Sequence, residues 1–330
     1  MRHVRRRGAL LLAGALLVAA CEGDVGPQGP AGPAGPQGPA GPAGAAGAAG
    51  AAGAAGAAGA AGTNFAGRTV WGVDGNNTLV SFGALTPGTR ISQVAITGLA
   101  AGETIVGIDF RPSNDTLYAV SSTSRLYTLN TTSGAATAVG GGAITPAIAG
   151  NPTAGVGFNP AADRLRVHGS TGQNLRINQT ANPLATIVDT ALAYVPGDVN
   201  AGATPNVVAT AYTLSVRPAP TATQLFAIDA TRDALIFLVS ANGGTMQTVG
   251  ALGFDTSNDA GFDIAGDTDV AYASLTPAAA ATGPSRLYTI NLRSGAANVV
   301  GQIGHPSPLR SIAVAPGTPP VPTRARRVAP

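Results

Sequence analysis

Two distant segments carry nearly the same words, Arg125-Leu-Tyr-Thr-Leu-Asn130 and Arg286-Leu-Tyr-Thr-Ile-Asn291, and two residues after each comes Ser-Gly-Ala-Ala. A repeat restricts the fold more than composition does, because a recurring unit must pack against copies of itself. Around each echo lie short segments rich in Val, Ile, Leu, Tyr and Phe, separated by Gly, Pro, Asn, Asp and Ser, the pattern of strands joined by turns. They fall into groups of four. The clearest group is 105–110, 116–121, 125–130 and 135–140. Three more follow: 155–159, 164–168, 174–178 and 184–188; then 208–212, 224–229, 234–239 and 246–250; then 260–264, 270–274, 286–291 and 296–301. Two fragments remain. Residues 309–314 read as a first strand, and 69–73, 78–82 and 90–96 as strands two to four of the same unit.

A single four-stranded antiparallel sheet cannot bury both its faces, and a ring of such sheets can. The expected fold is therefore all-β: a β-propeller of five four-stranded blades, the C-terminal strand closing the N-terminal blade. The weakly patterned stretch 200–220 leaves room for an extra strand or a sixth blade. The phrase built from Gly-Ile-Asp-Phe-Arg-Pro112, Leu-Tyr-Ala-Val120 and Leu-Tyr-Thr-Leu-Asn130, with Ala154-Gly-Val-Gly-Phe-Asn-Pro160 and Asp163-Arg-Leu-Arg-Val167, resembles the family called domain of unknown function 4394. The resemblance covers about 70–314. It implies a propeller-like β fold in an exported bacterial protein, and it implies no reaction and no catalytic residue.

Ahead of the repeats, every third residue from Gly23 to Gly62 is glycine, fourteen in strict register. Six triplets are Gly-Pro-Gln or Gly-Pro-Ala and six are Gly-Ala-Ala. Only glycine fits the crowded axis of three wound polyproline-II chains, so the period predicts a collagen-like triple-helical stalk and hence a homotrimer. The alternative is a monomeric, flexible glycine-rich linker. The alanine half lacks the preset φ of proline and is the weaker part.

Before the stalk, Arg2, Arg5, Arg6 and Arg7 precede an apolar run from Ala9 to Ala20, and Cys21 follows at once. These are the parts of an export signal, and the run is shorter than the roughly 20 residues that a spanning helix needs. Val18-Ala19-Ala20-Cys21 resembles the bacterial lipobox, which makes Cys21 the expected lipidation site and the membrane the expected partner. The alternative is an ordinary secretory signal with an incidental cysteine. Two or three acyl chains meet the requirement for stable anchoring. Glu22, where an inner-membrane retention signal often has Asp, favours the outer membrane or cell surface. The resulting division is a signal peptide over 1–20, lipidated cysteine and stalk over 21–64, the propeller over 65–316 and a Pro/Arg-rich disordered tail over 317–330.

The formal charge of +3 and pI near 9.4 would ordinarily raise nucleic acid as a partner. Removing the four signal arginines and the three in the tail leaves 12 Arg against 14 Asp and Glu in 65–316, or −2, so nucleic acid is not expected.

Chemistry is sparse. Beyond the signal the histidines are His168 and His305, and His168-Gly-Ser-Thr-Gly172 lacks the Gly-x-Ser-x-Gly of a hydrolase elbow, so a turn with a partly exposed histidine is expected. Asp109 and Asp263 share a first-strand position, with Asn159 assigned to the same place in the third blade; the three are candidates for a ligand site at the channel. Asp255, Asp259, Asp267 and Asp269 form the densest acidic stretch and are candidate metal ligands. Calcium would suit them, yet the spacing is not an EF-hand loop, and Asp side chains capping turns explain the same residues. No other cofactor is expected. The function expected is a non-enzymatic envelope or surface binding module for an unknown extracellular ligand. The alternatives are a propeller hydrolase or lyase acting on a polymer, and a purely structural envelope protein.

Overall fold

The computed structural model describes residues 68–149, 153–169 and 171–316; the expected signal peptide, the expected lipidation site Cys21, the glycine repeat and the expected tail lie outside them. The first blade holds β1 (Thr69–Asp74), β2 (Thr78–Gly83) and β3 (Thr86–Ala95). The second holds β4 (Ile105–Arg111), β5 (Thr116–Ser121), β6 (Arg125–Leu129) and β7 (Ala136–Ala143). The third holds β8 (Ala154–Asn159), β9 (Arg164–Gly169), β10 (Asn174–Asn178) and β11 (Ala185–Val188). After a short β12 (Ala193–Tyr194), the fourth holds β13 (Val207–Tyr212), β14 (Leu225–Asp229), β15 (Ala234–Ser240) and β16 (Thr245–Ala251). The fifth holds β17 (Thr256–Ile264), β18 (Ala271–Pro277), β19 (Arg286–Ile290) and β20 (Ala297–Gln302). The chain then returns as β21 (Leu309–Val314), which pairs antiparallel with β1 and completes the first blade.

The architecture is thus a five-bladed β-propeller closed by its last strand. Two details depart from the expected pattern. The extra strand is β12, which precedes the weakly patterned stretch and adds in parallel to the outer edge of the fourth blade through Ala193 and Tyr194. Also, β3 and β17 each begin four residues early, at Thr86 and Thr256, where polar or proline-containing sequence hides a strand from hydropathy alone.

The ring is made by the first strands. β21, β4, β8, β13 and β17 touch one another in cyclic order, so their residues are covered on both faces, while the outer strands β3, β7 and β11 are largely exposed. Close approach at the axis requires small residues. A Cβ on Gly107 would lie 2.3 Å from Val156 Cγ2, and one on Gly261 would lie 2.4 Å from the Ile312 backbone nitrogen.

Most of the apolar core lies between blades rather than within them. One cluster joins the first and second blades (Val73, Ile105, Tyr127), another the second and third (Tyr118, Phe158, Leu165). Others join the fourth to the fifth (Ile228, Phe262, Tyr288) and the fifth to the first (Phe82, Tyr272, Ile312). Between the third and fourth blades no such cluster joins the strands among the described residues; the remaining cluster belongs to the fourth blade and the segment leading into it.

Candidate functional site

The strand registers define one equivalent layer in all blades. Asp109 lies opposite Tyr118, Asp263 opposite Tyr272, Gly157 opposite Arg166, Ala211 opposite Phe226, and Ala313 opposite Trp71. Asp109 and Asp263 are therefore equivalent, as their sequence positions suggest. The residue of the third blade at that place is Gly157. Asn159 sits two residues further along, opposite Arg164, where the second blade has Arg111 opposite Thr116. It accepts hydrogen bonds from the backbone of Ala161 and Ala162 and so turns the chain into β9.

Asp109 Oδ2 accepts the Phe158 N–H at 2.6 Å, and Asp263 Oδ2 accepts the Val314 N–H at 2.6 Å. In each case a first-strand carboxylate clasps the first strand of the next blade, at the same relative position. Asp263 is buried, Asp109 partly so, and both line a cleft of only about 10 Å³ with Ser215 and Val314. That is room for one water at most. Burial, reinforced by the neighbouring Asp263 carboxylate, pushes Asp109 well above the usual carboxylate range. Burial raises Asp263 to about 7 against the opposing pull of the Val314 and Ile264 N–H groups.

The four aspartates of the acidic stretch do not converge. Asp259 faces Arg310 at 3.5 Å and Asp267 pairs with Arg68. Asp269 has φ of 53° and stands where Asp115 (54°) and Asp163 (50°) stand before their second strands, a left-handed turn position that Asp tolerates. The Asp255 carbonyl accepts the Ala278 N–H. Among the described residues no group of three or more His, Cys, Asp or Glu side chains is placed to hold a metal ion.

His305 is buried and shares a 3.0 Å hydrogen bond with Asp74, whose other oxygen turns the chain by accepting from Asn76 and Thr78. His168 is buried completely, contrary to the exposed turn expected for it, because it belongs to β9 and not to the turn. Among the described residues neither of its ring nitrogens reaches a hydrogen-bond partner. Burial first, then the nearby Arg166 charge, pushes it down to about 3, so it is neutral at ordinary pH.

The polar assembly that inspection of motifs misses lies between the third and fourth blades. Where the other blades carry Trp71, Tyr118, Phe226 and Tyr272, the third carries Arg166, and its cross-strand partner on β10 is a second arginine, Arg176. Arg166 is 1% exposed. Its Nε donates to Tyr212 Oη at 2.8 Å, one terminal nitrogen donates to Asp189 at 3.0 Å and to Asn174, and the other donates to Asn242 Oδ1 at 2.7 Å. Arg176 grips both oxygens of Asp189, at 2.6 and 2.8 Å. Burial alone would raise Asp189, but the two arginines override it and hold it below the usual range. Beside this network lies a cavity of about 80 Å³ whose lining includes Arg164, Arg166, Arg176, Tyr212 and Asn242. The signal was present in the sequence as a break in the repeat, visible once the five second strands are aligned.

Residues 78–313 match the family described as "Domain of unknown function (DUF4394)". The chain belongs to this family. Residues 20–70 match the collagen triple helix repeat. No curated protein matches the sequence. Among solved structures, one from a nidogen/laminin complex is similar with TM-score 0.45 and 13% identity, over 75% of this chain and 98% of that one. A protein of unknown function from Bacteroides thetaiotaomicron VPI-5482 gives 0.41 and 16%, over 73% of this chain and 60% of its own. Dihydro-heme d1 dehydrogenase NirN gives 0.34 and 17%, over 70% of this chain and 42% of its own.

Proposed function

We propose that this DUF4394 protein is an exported binding module: Cys21 carries the lipid, the collagen-like repeat trimerises into a stalk, and the propeller engages an extracellular ligand without converting it. The observation that carries this over an enzymatic reading is the state of the axial carboxylates. Asp109 and Asp263, carried on the innermost strands β4 and β17, each hold a backbone N–H of the next blade and border a cleft of about 10 Å³. Both carboxylates are thus committed to backbone hydrogen bonds in a narrow cleft. Three propellers on one stalk would multiply a weak single-site affinity, since each further contact is made at high effective concentration. The outer membrane or cell surface is the proposed location.

The test is the size and circular dichroism of the chain from Glu22 onward, followed by its retention on whole envelopes. A trimer with a melting triple-helix signal, retained more strongly than a chain lacking residues 23–62, supports the reading. A monomer without that signal removes the stalk from it. The polymer hydrolase or lyase reading rests on the raised Asp109 and Asp263. Turnover of an envelope polymer that is lost in Asp109→Asn and Asp263→Asn would establish it instead.

A further inference from the structure

Placing two arginines directly opposite each other in adjacent strands is unfavourable unless an anion lies between them. Asp189 supplies one carboxylate to both Arg166 and Arg176. A third cation, Arg164, lines the same cavity, and its side chain's one hydrogen bond among the described residues is to the backbone carbonyl of Asp163. The Asp163 carboxylate is taken by Arg111, at 2.8 Å from Nε. Three guanidinium groups therefore border this space with one carboxylate among them, in a domain whose net charge is negative.

The donors are not used up. Arg176 binds Asp189 through Nε and one terminal nitrogen, which leaves its other terminal nitrogen for a further acceptor. The Arg166 terminal nitrogen bonded to Asn242 carries two hydrogens and makes that single bond among the described residues. A volume of about 80 Å³ is that of a few waters or one compact oxyanion. Guanidinium forks match the planar edge of such groups better than any other side chain does.

We propose that the cavity between the third and fourth blades binds the oxyanion head of the extracellular ligand, a carboxylate, sulfate or phosphate group, held by Arg164 and Arg176 with Arg166 as the fixed floor. This names the ligand chemistry of the binding reading above and rests on it. Carboxylate, sulfate and phosphate share the same recognition by forked N–H donors, and separate titrations tell them apart.

The experiment is calorimetric titration of the full chain with sodium acetate, sulfate and phosphate, each at constant ionic strength against chloride. At least one should bind saturably at one site per chain, and Arg164→Gln and Arg176→Gln should each weaken it at least about fivefold. Arg217→Gln, on an exposed arginine elsewhere, should leave it unchanged. Equal affinity in Arg164→Gln and the unaltered chain, or no saturable binding of any of the three, overturns the proposal. Should Arg176→Gln fail to fold because Asp189 loses a partner, Arg164→Gln decides alone, since Arg164 holds no carboxylate. Envelope retention that persists without anion binding sinks this site and leaves the binding module standing. Anion binding without envelope retention upholds the site and sinks the module.

Discussion

At the inner layer the second and third blades pair their strands in the same register and carry opposite chemistry. In the second, the inner layer is Asp109, Tyr118 and Thr128, and Tyr118 packs edge-on against Phe158 with ring centroids 5.1 Å apart. In the third, the same layer is Gly157, Arg166 and Arg176, and what faces the next blade is a guanidinium network instead of an apolar cluster. The blade boundaries that close with hydrocarbon need only complementary shape. The boundary that closes with charge relies on paired groups, and Arg164, Arg166 and Arg176 border a cavity beside it. A repeat thus fixes the frame of a propeller, and the buried arginine assembly arises where one copy stops obeying the repeat.

The harshest way to break this contrast is to impose the repeat on the third blade. Arg166→Tyr copies Tyr118 and Tyr272, yet it strands Asn174 and Asn242 and leaves Asp189 to Arg176 alone. Removing one partner of such a buried pair costs about 3–5 kcal/mol. Urea denaturation should show that loss, whereas a neutral result would mean that the network does not hold the two blades together.

The axial carboxylates should produce a smaller, pH-dependent effect. Asp263 has a raised pKa in the folded chain, so the native state keeps its proton longer than the unfolded state does. Its contribution is fully present below about 4 and is lost as pH rises to about 7. Asp263→Asn retains an acceptor for the Val314 N–H and cannot ionise. It should therefore lose up to about 4 kcal/mol less than the unaltered chain between pH 4 and 8. Parallel stability curves for the two chains would contradict the assignment.

His168 has the opposite sign. Its pKa falls to about 3 on folding, so stability is full above about 6.5 and is lost as pH falls towards 3. At pH 5, relative to pH 7.5, His168→Gln should lose about 2 kcal/mol less than the unaltered chain. An unchanged slope would mean that His168 is solvated.

Much of this was legible from sequence for a simple reason. Strand and turn signals repeat, so Arg125–Asn130 and Arg286–Asn291 calibrate one another, and a C-terminal first strand could pair only with a blade that lacked one. Asp109 and Asp263 aligned because both follow Gly-Ile or Gly-Phe. Asn159 is not the counterpart of Asp109: Gly155-Val-Gly-Phe-Asn-Pro160 aligns with Gly107-Ile-Asp-Phe-Arg-Pro112, and the register agrees that Gly157 answers Asp109 while Asn159 answers Arg111. The acidic stretch read as a cluster in one dimension, although turns and inter-blade pairing send its members to Arg68, Arg310 and a left-handed corner. The arginine site was missed because its members come from β9, β10, β13 and the β15–β16 turn, which local spacing does not bring together.

The smallest effect belongs to the surface. Arg217 and Asp115 pair with side chains 50% and 40% exposed, and such pairs are worth little. Arg217→Ala should change stability by no more than about 0.5 kcal/mol. A loss as large as that of Arg166→Tyr would erase the distinction between buried network and surface pair.

The most direct measurement is anomalous diffraction from crystals of the full chain soaked in selenate at constant ionic strength. One strong peak per propeller is expected in the cavity beside Arg164 and Arg176, and none at the equivalent layers holding Tyr118 and Tyr272. A cavity empty of selenate in a chain that binds sulfate in solution, or peaks confined to exposed arginines such as Arg217, would contradict it.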